Sequence, residues 1–269
     1  MGTRAYIRSG LKYTHTLLGS AYVVHELWSS NSSKESGTAL PLHSSELSTG
    51  RDILQVNGVW SDIYKDDLVS VSAAPIMHSV PCVGYVINEA PVPGKMQPDH
   101  YLSHIKRTQT PMSVMSRLQQ GEEIVLSDGT ILRGPARRPG RKLVILGDTC
   151  DPSLIAGLAT GADLLIHEAT NAHLPGLDPN TRDDDTFVTV RERTASRGHS
   201  TPQMAGEFAR RIGARRLILN HFSARYAGND HIDENARKVM TAIAKLAAEE
   251  FEGEIICARD LMSFDFNLN

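Results

Sequence analysis

Four metal-capable side chains follow the ends of apolar runs that predict buried strands. Asp148 follows LVILG, His167 and Glu168 follow DLLI, and His221 follows LILN. Strand ends are where sheet-based α/β folds collect their functional groups. Carboxylates and imidazoles without a thiolate are typical ligands of catalytic zinc or manganese. His199 precedes a predicted helix, where a bound anion such as phosphate is favoured. The pattern therefore favours a metal site or a phosphoester site.

Each of these residues also has a purely structural interpretation. A single histidine is more often part of a core or a surface than a metal ligand. The sequence Gly147-Asp148-Thr149 is a common turn. The recurrence of such residues at several strand ends is what favours chemistry. His78 is a further candidate, because it lies in a predicted turn between Pro75 and Pro81.

The segments around these residues predict the elements that position them. Two β-branched runs within residues 67–87 predict a strand, a turn and a strand, and residues 122–132 predict a hairpin with Asp128-Gly129 at its turn. From Lys142 onward, buried strands alternate with helices. One predicted helix is capped by Ser200 or Thr201 and ended by Gly213, and a long amphipathic helix spans residues 233–251. The pattern predicts an α/β fold with helices packed outside a sheet.

Two segments are predicted to lie outside the core of a single domain, residues 1–269. The Ser-rich stretch at about 29–50 reads as a solvated loop. The Pro-, Lys- and His-rich stretch at about 89–121 reads as an excursion from the sheet. His25, His43 and His173 are interpreted as surface or loop histidines.

Composition excludes several classes of protein. The chain has 269 residues, a formal net charge of −3 and three widely spaced cysteines with no C-x-x-C, which argues against a disulfide framework or a thiolate zinc site. No apolar run approaches the ~20 residues that a membrane span needs, so no membrane partner is expected. A reducing compartment fits best, with the cytoplasm or nucleus favoured and the mitochondrion left open.

Two groups of basic residues are either phosphate-binding surfaces or solvated faces. They are Arg133, Arg137, Arg138, Arg141 and Lys142, and Arg210, Arg211, Arg215 and Arg216.

A family resemblance connects these motifs. In this order, AAPIMHSVPCVGYVI, PGK, GRKLVILGDT, LLIHEAT and GHSTPQMAGEFARRIGARRLILNHFSARY resemble the ribonuclease Z (tRNase Z) family of the metallo-β-lactamase superfamily, over about residues 3–262. The resemblance implies an αβ/βα sandwich, here with its N-terminal part missing, that holds two zinc ions; manganese is also possible. It implies an endoribonuclease that removes the 3′ trailer from precursor tRNA, and a homodimer.

The resemblance also implies roles for individual residues. His78, Asp148 and His221 correspond to metal ligands, with Asp148 bridging the two ions. Glu168 and His199 correspond to the catalytic pair that assists proton transfer and steadies the scissile phosphate. The tRNA-gripping arm is expected to begin at Pro93, Gly94 and Lys95, although RTQTPMSVM stands where the family has a Gly-Pro-rich stretch.

The family signature His-x-His-x-Asp-His is absent from the sequence, and with it four expected metal ligands. Three explanations are open: an incomplete sequence of a longer enzyme, a shortened inactive paralogue that still binds RNA, or a site completed by another chain or by unrecognised residues. A zinc phosphodiesterase acting on small esters is a further alternative. Catalytic zinc takes three or more protein ligands, so we expect weak zinc binding and little cleavage by this chain alone.

Overall fold

A computed structural model describes residues 2–30, 40–226 and 232–265. The strands are β1 (Tyr22–Val23), β2 (Glu26–Trp28), β3 (Glu46–Ser48), β4 (Asp52–Leu54), β5 (Trp60–Lys65), β6 (Val69–Ile76), β7 (Cys82–Glu89), β8 (Ile124–Val125), β9 (Ile131–Leu132), β10 (Lys142–Leu146), β11 (Leu164–Glu168), β12 (Arg216–Asn220) and β13 (Glu254–Cys257). The helices are α1 (Thr3–Tyr13), α2 (Asp99–Arg107), α3 (Val114–Gln119), α4 (Ala156–Ala159), α5 (Phe187–Ala195), α6 (Pro202–Ile212) and α7 (Glu234–Ala248).

The architecture is mixed α/β, as predicted, and its centre is a seven-stranded sheet. The strand order is β13-β12-β11-β10-β7-β6-β5. Strands β10 to β13 are parallel to one another, whereas β5, β6 and β7 pair antiparallel. Because β6 and β10 both run antiparallel to β7, the carboxyl ends of β6, β10, β11 and β12 meet at one edge of the sheet.

Helices α6 and α7 cover one face of the sheet. Val144, Leu165 and Leu217 pack beneath them and belong to the main core. The apolar face of α6 supplies Phe208 and Ile212, as the sequence pattern predicts. Burial of such side chains is worth about 1.5–3 kcal/mol each before entropy is counted, so this layer fixes the position of the strands.

The ends of α6 follow their sequence signals, and the structure selects one of the two predicted capping residues. Thr201, not Ser200, is the N-cap, and its hydroxyl accepts from the backbone N–H of Met204. The Ser200 hydroxyl instead donates to the Thr149 carbonyl at 2.6 Å. Gly213 ends the helix in the left-handed region, at φ 63°. Because Ser200 does not cap the helix, its hydroxyl is able to link the start of α6 to the turn after β10.

The other face of the sheet carries an apolar row. Tyr85, Ile145, Ile166, Ile218 and Ile256 are paired in register across five neighbouring strands. Since side chains alternate along a strand, this row points away from α6. Tyr85 is 37% exposed, and three of the four isoleucines are only partly buried.

The N-terminal region is held by an ion pair between α1 and β3. Arg8 Nε and Nη2 each donate to a Glu46 carboxylate oxygen at 2.7 Å, and both residues are buried. Strand β3 pairs in parallel with β1. Within the stretch at about 29–50 that was predicted to be a solvated loop, Glu46–Ser48 instead forms a short strand, although Leu47 and Ser48 are exposed. Residues 31–39 lie outside the described part of the chain.

Residues 94–134 form a small unit beside the main sheet. Helices α2 and α3 and the β8–β9 hairpin enclose a second apolar core: Tyr101, Ile105, Val114, Leu118, Ile124, Leu126 and Leu132. Gly94 is buried at its base, where an added Cβ would lie 2.3 Å from the Ala136 carbonyl oxygen. A glycine is required there by close backbone approach.

Most of the basic residues singled out in the sequence have partners. Arg133, Arg141, Arg210, Arg215 and Arg216 pair with Glu123, Glu89, Glu250, Asp163 and Glu254, respectively. These pairs offset much of the positive charge, which favours the solvated-face interpretation over a phosphate-binding one. None of the helices in the described ranges combines the length and apolar character needed to cross a bilayer.

Candidate active site

Four candidate side chains converge at the carboxyl edge of the sheet, and a fifth joins them from the loop that precedes α6. His78 follows β6, Asp148 follows β10, Glu168 ends β11, and His221 follows β12. His199 lies three residues before the start of α6. All five carried-over catalytic and metal-ligand candidates are therefore brought to one place.

Glu168 is the acceptor at the centre of the cluster, and it is only 1% exposed. Its Oε1 accepts from the Thr149 N–H at 2.7 Å and from His199 Nδ1 at 2.9 Å. Its Oε2 accepts from the Ser200 N–H at 3.1 Å and from the Thr170 hydroxyl at 2.5 Å. A buried carboxylate is tolerated when donors satisfy it in this way.

Two of the histidines have their ring protons placed by the protein. His78 Nδ1 lies 2.7 Å from the Gly198 carbonyl oxygen, and His199 Nδ1 lies 2.9 Å from Glu168 Oε1. These oxygens only accept, so both Nδ1 atoms carry a proton. The Nε2 atoms of both rings are therefore the nitrogens available to bind a metal or to transfer a proton.

The rings and carboxylates are close enough to share a cation. The centroids of His78 and His199 are 4.9 Å apart, and His199 stacks on His221 at 5.4 Å. Ligand atoms of His78, Asp148 and His199 lie within 4.8 Å of one another, as do those of Glu168, His199 and His221. Asp148 Oδ2 and His221 Nε2 are 3.4 Å apart. Imidazole nitrogens with carboxylate oxygens suit a divalent metal.

Two backbone features set these distances. His221 has φ 54°, in the left-handed region, at the point where the chain leaves β12. Gly198 has φ 84°, and an added Cβ would lie 2.6 Å from His78 Nδ1 and 2.7 Å from the Ser79 nitrogen. Only glycine lets the chain pass His78 this closely.

His167 does not belong to the site, although the sequence placed it beside Glu168. It is fully buried, pairs in register with Leu219 and lies beside Phe208 of α6. Burial lowers the pKa of His167, and its Nδ1 donates to the Glu168 carbonyl at 2.7 Å. The alternation of side chains along a strand separates the two residues: one faces the core and the other faces the site.

The remaining predicted residues lie elsewhere. Pro93 and Lys95 are exposed and Gly94 is buried at the base of the small unit, so this trio is not part of the cluster. Outside the cluster, His25 is exposed and His43 is partly buried, and each accepts a backbone N–H at Nδ1, from Arg51 and Ser45, respectively.

Sequence reasoning missed three hydroxyl residues around Glu168: Thr149, Thr170 and Ser200. Each of the three directly follows a candidate residue or lies two positions from one, and this closeness in sequence is the signal that could have identified them. Backbone N–H donors from Thr149 and Ser200 could not be read from residue types.

A polar clamp holds the loops behind the site. Asp178, 1% exposed at its side chain, pairs with Arg225 at 3.0 Å. The Tyr226 hydroxyl accepts from the Ala172 N–H at 2.9 Å and lies 3.3 Å from its carbonyl oxygen. The clamp joins the loop after β11 to the loop after β12, which explains why Arg and Tyr close the motif NHFSARY.

Tyr226→Phe should lower the free energy of unfolding by about 1–3 kcal/mol, since it leaves the buried Ala172 N–H without its acceptor. Urea unfolding measures this loss. Tyr64→Phe, at an exposed side chain whose hydroxyl donates to the exposed Asp66, is the control and should change stability by less than about 0.5 kcal/mol. Equal, small effects of both changes would contradict the clamp.

No protein-family model matches the chain. Among curated relatives, ribonuclease BN of Cronobacter sakazakii is 32% identical over 200 residues, covering 72% of this chain and 56% of the relative. Ribonuclease Z of Prochlorococcus marinus is 30% identical over 243 residues, covering 87% and 65%. The crystal structure of the short form of human tRNase Z superposes with a TM-score of 0.54 at 25% identity, covering 100% of this chain and 66% of that one. The chain thus spans about half to two thirds of the length of these proteins.

Proposed function

Because this chain belongs to the ribonuclease Z family, we propose that it carries the catalytic edge of a metal-dependent endoribonuclease that removes the 3′ trailer from precursor tRNA. The single observation that carries this proposal is the buried Glu168 bonded to His199 beside Asp148 and His221. This arrangement pairs a proton carrier with metal-binding groups at one sheet edge.

His78 and His221 would be ligands of two different metal ions, each together with Asp148, and we propose zinc, with manganese as the alternative. The donor set supports this assignment, since neutral imidazoles and a carboxylate are the ligands of catalytic zinc. A bound divalent ion would lower the pKa of a water molecule and polarise a phosphoryl oxygen.

Glu168 and His199 would supply the proton chemistry. The carboxylate orients the imidazole through Nδ1, which leaves Nε2 to face the reacting groups. A protonated His199 stabilised by Glu168 is able to protonate the leaving 3′ oxygen or to bind the scissile phosphate. Burial of Glu168 keeps water from competing for these bonds.

The rest of the chain would serve substrate binding and assembly within one domain of residues 1–269. We propose that Pro93, Gly94 and Lys95, together with the rest of the small unit, contact the body of the tRNA. Exposed Lys95 is suited to a phosphate contact. A homodimer is also expected, and sedimentation of the purified chain tests it.

His221→Ala should weaken zinc binding by more than the ~10–100-fold typical of losing an outer-shell partner, because it removes a ligand itself. Calorimetric titration of the metal-free protein with zinc measures the change. His15→Asn, at an exposed histidine outside the cluster, is the matched control and should bind zinc like the wild type.

A precursor-tRNA cleavage assay with added zinc or manganese then tests the reaction. Slow cleavage that disappears in His221→Ala is the expected result. Salt-sensitive tRNA binding with no cleavage under either metal would contradict the enzyme assignment and favour a non-catalytic RNA-binding protein. Cleavage of a chromogenic phosphodiester without cleavage of precursor tRNA would favour the small-ester alternative.

A further inference from the structure

The Thr170 hydroxyl contacts three members of the catalytic cluster: Glu168, His199 and His221. Its Oγ1 lies 2.5 Å from Glu168 Oε2, 2.9 Å from His221 Nδ1 and 3.3 Å from His199 Nδ1. No role for it was apparent from the sequence, where it is only the last residue of the run LLIHEAT.

The single hydroxyl proton of Thr170 is donated to the Glu168 carboxylate. A hydroxyl has one proton and two lone pairs, and an ionised carboxylate only accepts. The contact with Glu168 is the shortest of the three, so the proton is donated to Oε2. The lone pairs of Oγ1 then face the histidines, and a bond at 2.9 Å to His221 requires a proton on His221 Nδ1.

The backbone holds Thr170 opposite His221. The Ala169 N–H donates to the Asn220 carbonyl at 2.9 Å, and the Ser223 N–H donates to the Thr170 carbonyl at 3.0 Å. These bonds extend the pairing of β11 and β12 past the strand ends. The backbone pairing therefore holds Thr170 and His221 side by side, so their contact does not depend on the side-chain rotamers alone.

From this geometry we propose that Thr170 is a positioning residue that fixes His221 as the Nδ1–H tautomer. Glu168 orients the Thr170 hydroxyl, and the hydroxyl orients the imidazole. Nε2 of His221 lies 3.4 Å from Asp148 Oδ2, beyond the usual length of an N–H···O bond, so the 2.9 Å contact at Nδ1 is the stronger candidate for the ring proton. The use of Nε2 rests on the proposed role of His221 as a metal ligand, whereas the tautomer itself does not.

The assignment makes the three histidines alike. His78 and His199 already hold their protons on Nδ1, through the Gly198 carbonyl and Glu168. With Thr170 acting on His221, all three rings present a bare Nε2 when they are neutral. Glu168 orients two of the rings, His199 directly and His221 through Thr170. Partners that fix ring orientation in this way commonly tune metal affinity.

Long-range ¹H–¹⁵N NMR of the metal-free protein at about pH 8, above the usual titration range of histidine, tests the proposal. His221→Gln identifies the signals of His221. We expect protonated Nδ1 and bare Nε2 in the wild type and in Thr170→Ser, which keeps the hydroxyl. Thr170→Val, which keeps the shape, should move the signals toward the Nε2–H form. Unchanged signals in the valine variant, or Nε2–H in the wild type, would overturn the proposal.

Zinc titration of the same variants separates this inference from the proposed function. Thr170→Val should bind zinc about 10–100-fold more weakly, and Thr170→Ser should bind nearly as well as the wild type. A tautomer change without a change in zinc affinity would support the role of Thr170 and overturn the assignment of His221 as a ligand.

Discussion

Glu168→Ala should be among the most damaging single changes in this protein. It leaves the buried N–H groups of Thr149 and Ser200 without their acceptor, at about 1–3 kcal/mol each, so we expect a loss of about 2–6 kcal/mol in the free energy of unfolding. It also frees His199, and cleavage activity should fall by about 10²–10⁴-fold with the loss of oriented proton transfer. Urea unfolding and the precursor-tRNA assay measure the two losses.

Two further variants calibrate this result. Glu168→Gln keeps the shape and one acceptor oxygen, so its stability loss should be smaller while its activity loss stays large. Glu192→Ala, at an exposed position on α5, should change stability by less than about 0.5 kcal/mol. A Glu168→Ala protein as stable as the Glu192→Ala protein would show that the hydrogen bonds at Glu168 do not form.

Arg8→Ala should cost about 3–5 kcal/mol, the usual penalty for leaving a buried charge unpaired. Glu46 has an inaccessible side chain, and its two bonds from Arg8 would be lost. The double variant Arg8→Met with Glu46→Leu removes both charges and should recover most of the loss. If the double variant were as unstable as the single one, packing and not charge would hold α1 to β3.

The same pair predicts a pH dependence of defined sign. The hydrogen bond from Arg8 holds the pKa of Glu46 below its ordinary value of about 4.3. The unfolded state therefore binds a proton first, so the stabilisation is fully present above about pH 4.3 and is lost as the pH falls toward the folded pKa. Arg8→Ala should lose less stability than the wild type over this acidic window. Unfolding midpoints at a series of pH values check the difference.

The central strands could be predicted from the sequence, and the candidate residues at their ends do lie together, for a physical reason. β6, β7, β10, β11 and β12 are apolar runs with clear boundaries, and their carboxyl ends carry the polar residues that converge. The features that could not be predicted from the sequence depend mostly on contacts between residues far apart in the chain. Helix α5 has no strong apolar periodicity, and β3 is ordered by an ion pair 38 residues apart in sequence. The roles of Gly198 and Thr170 come from loops that meet only in the folded protein.

The apolar row from Tyr85 to Ile256 bears on how the protein behaves in solution. A net charge of −3 over 269 residues gives weak electrostatic repulsion between molecules. Attraction between exposed apolar surfaces strengthens on warming from the cold and in sulfate or phosphate. Solubility should therefore fall with temperature and with such salts, so that the protein stays dissolved in cold, low-salt buffers and precipitates in warm sulfate.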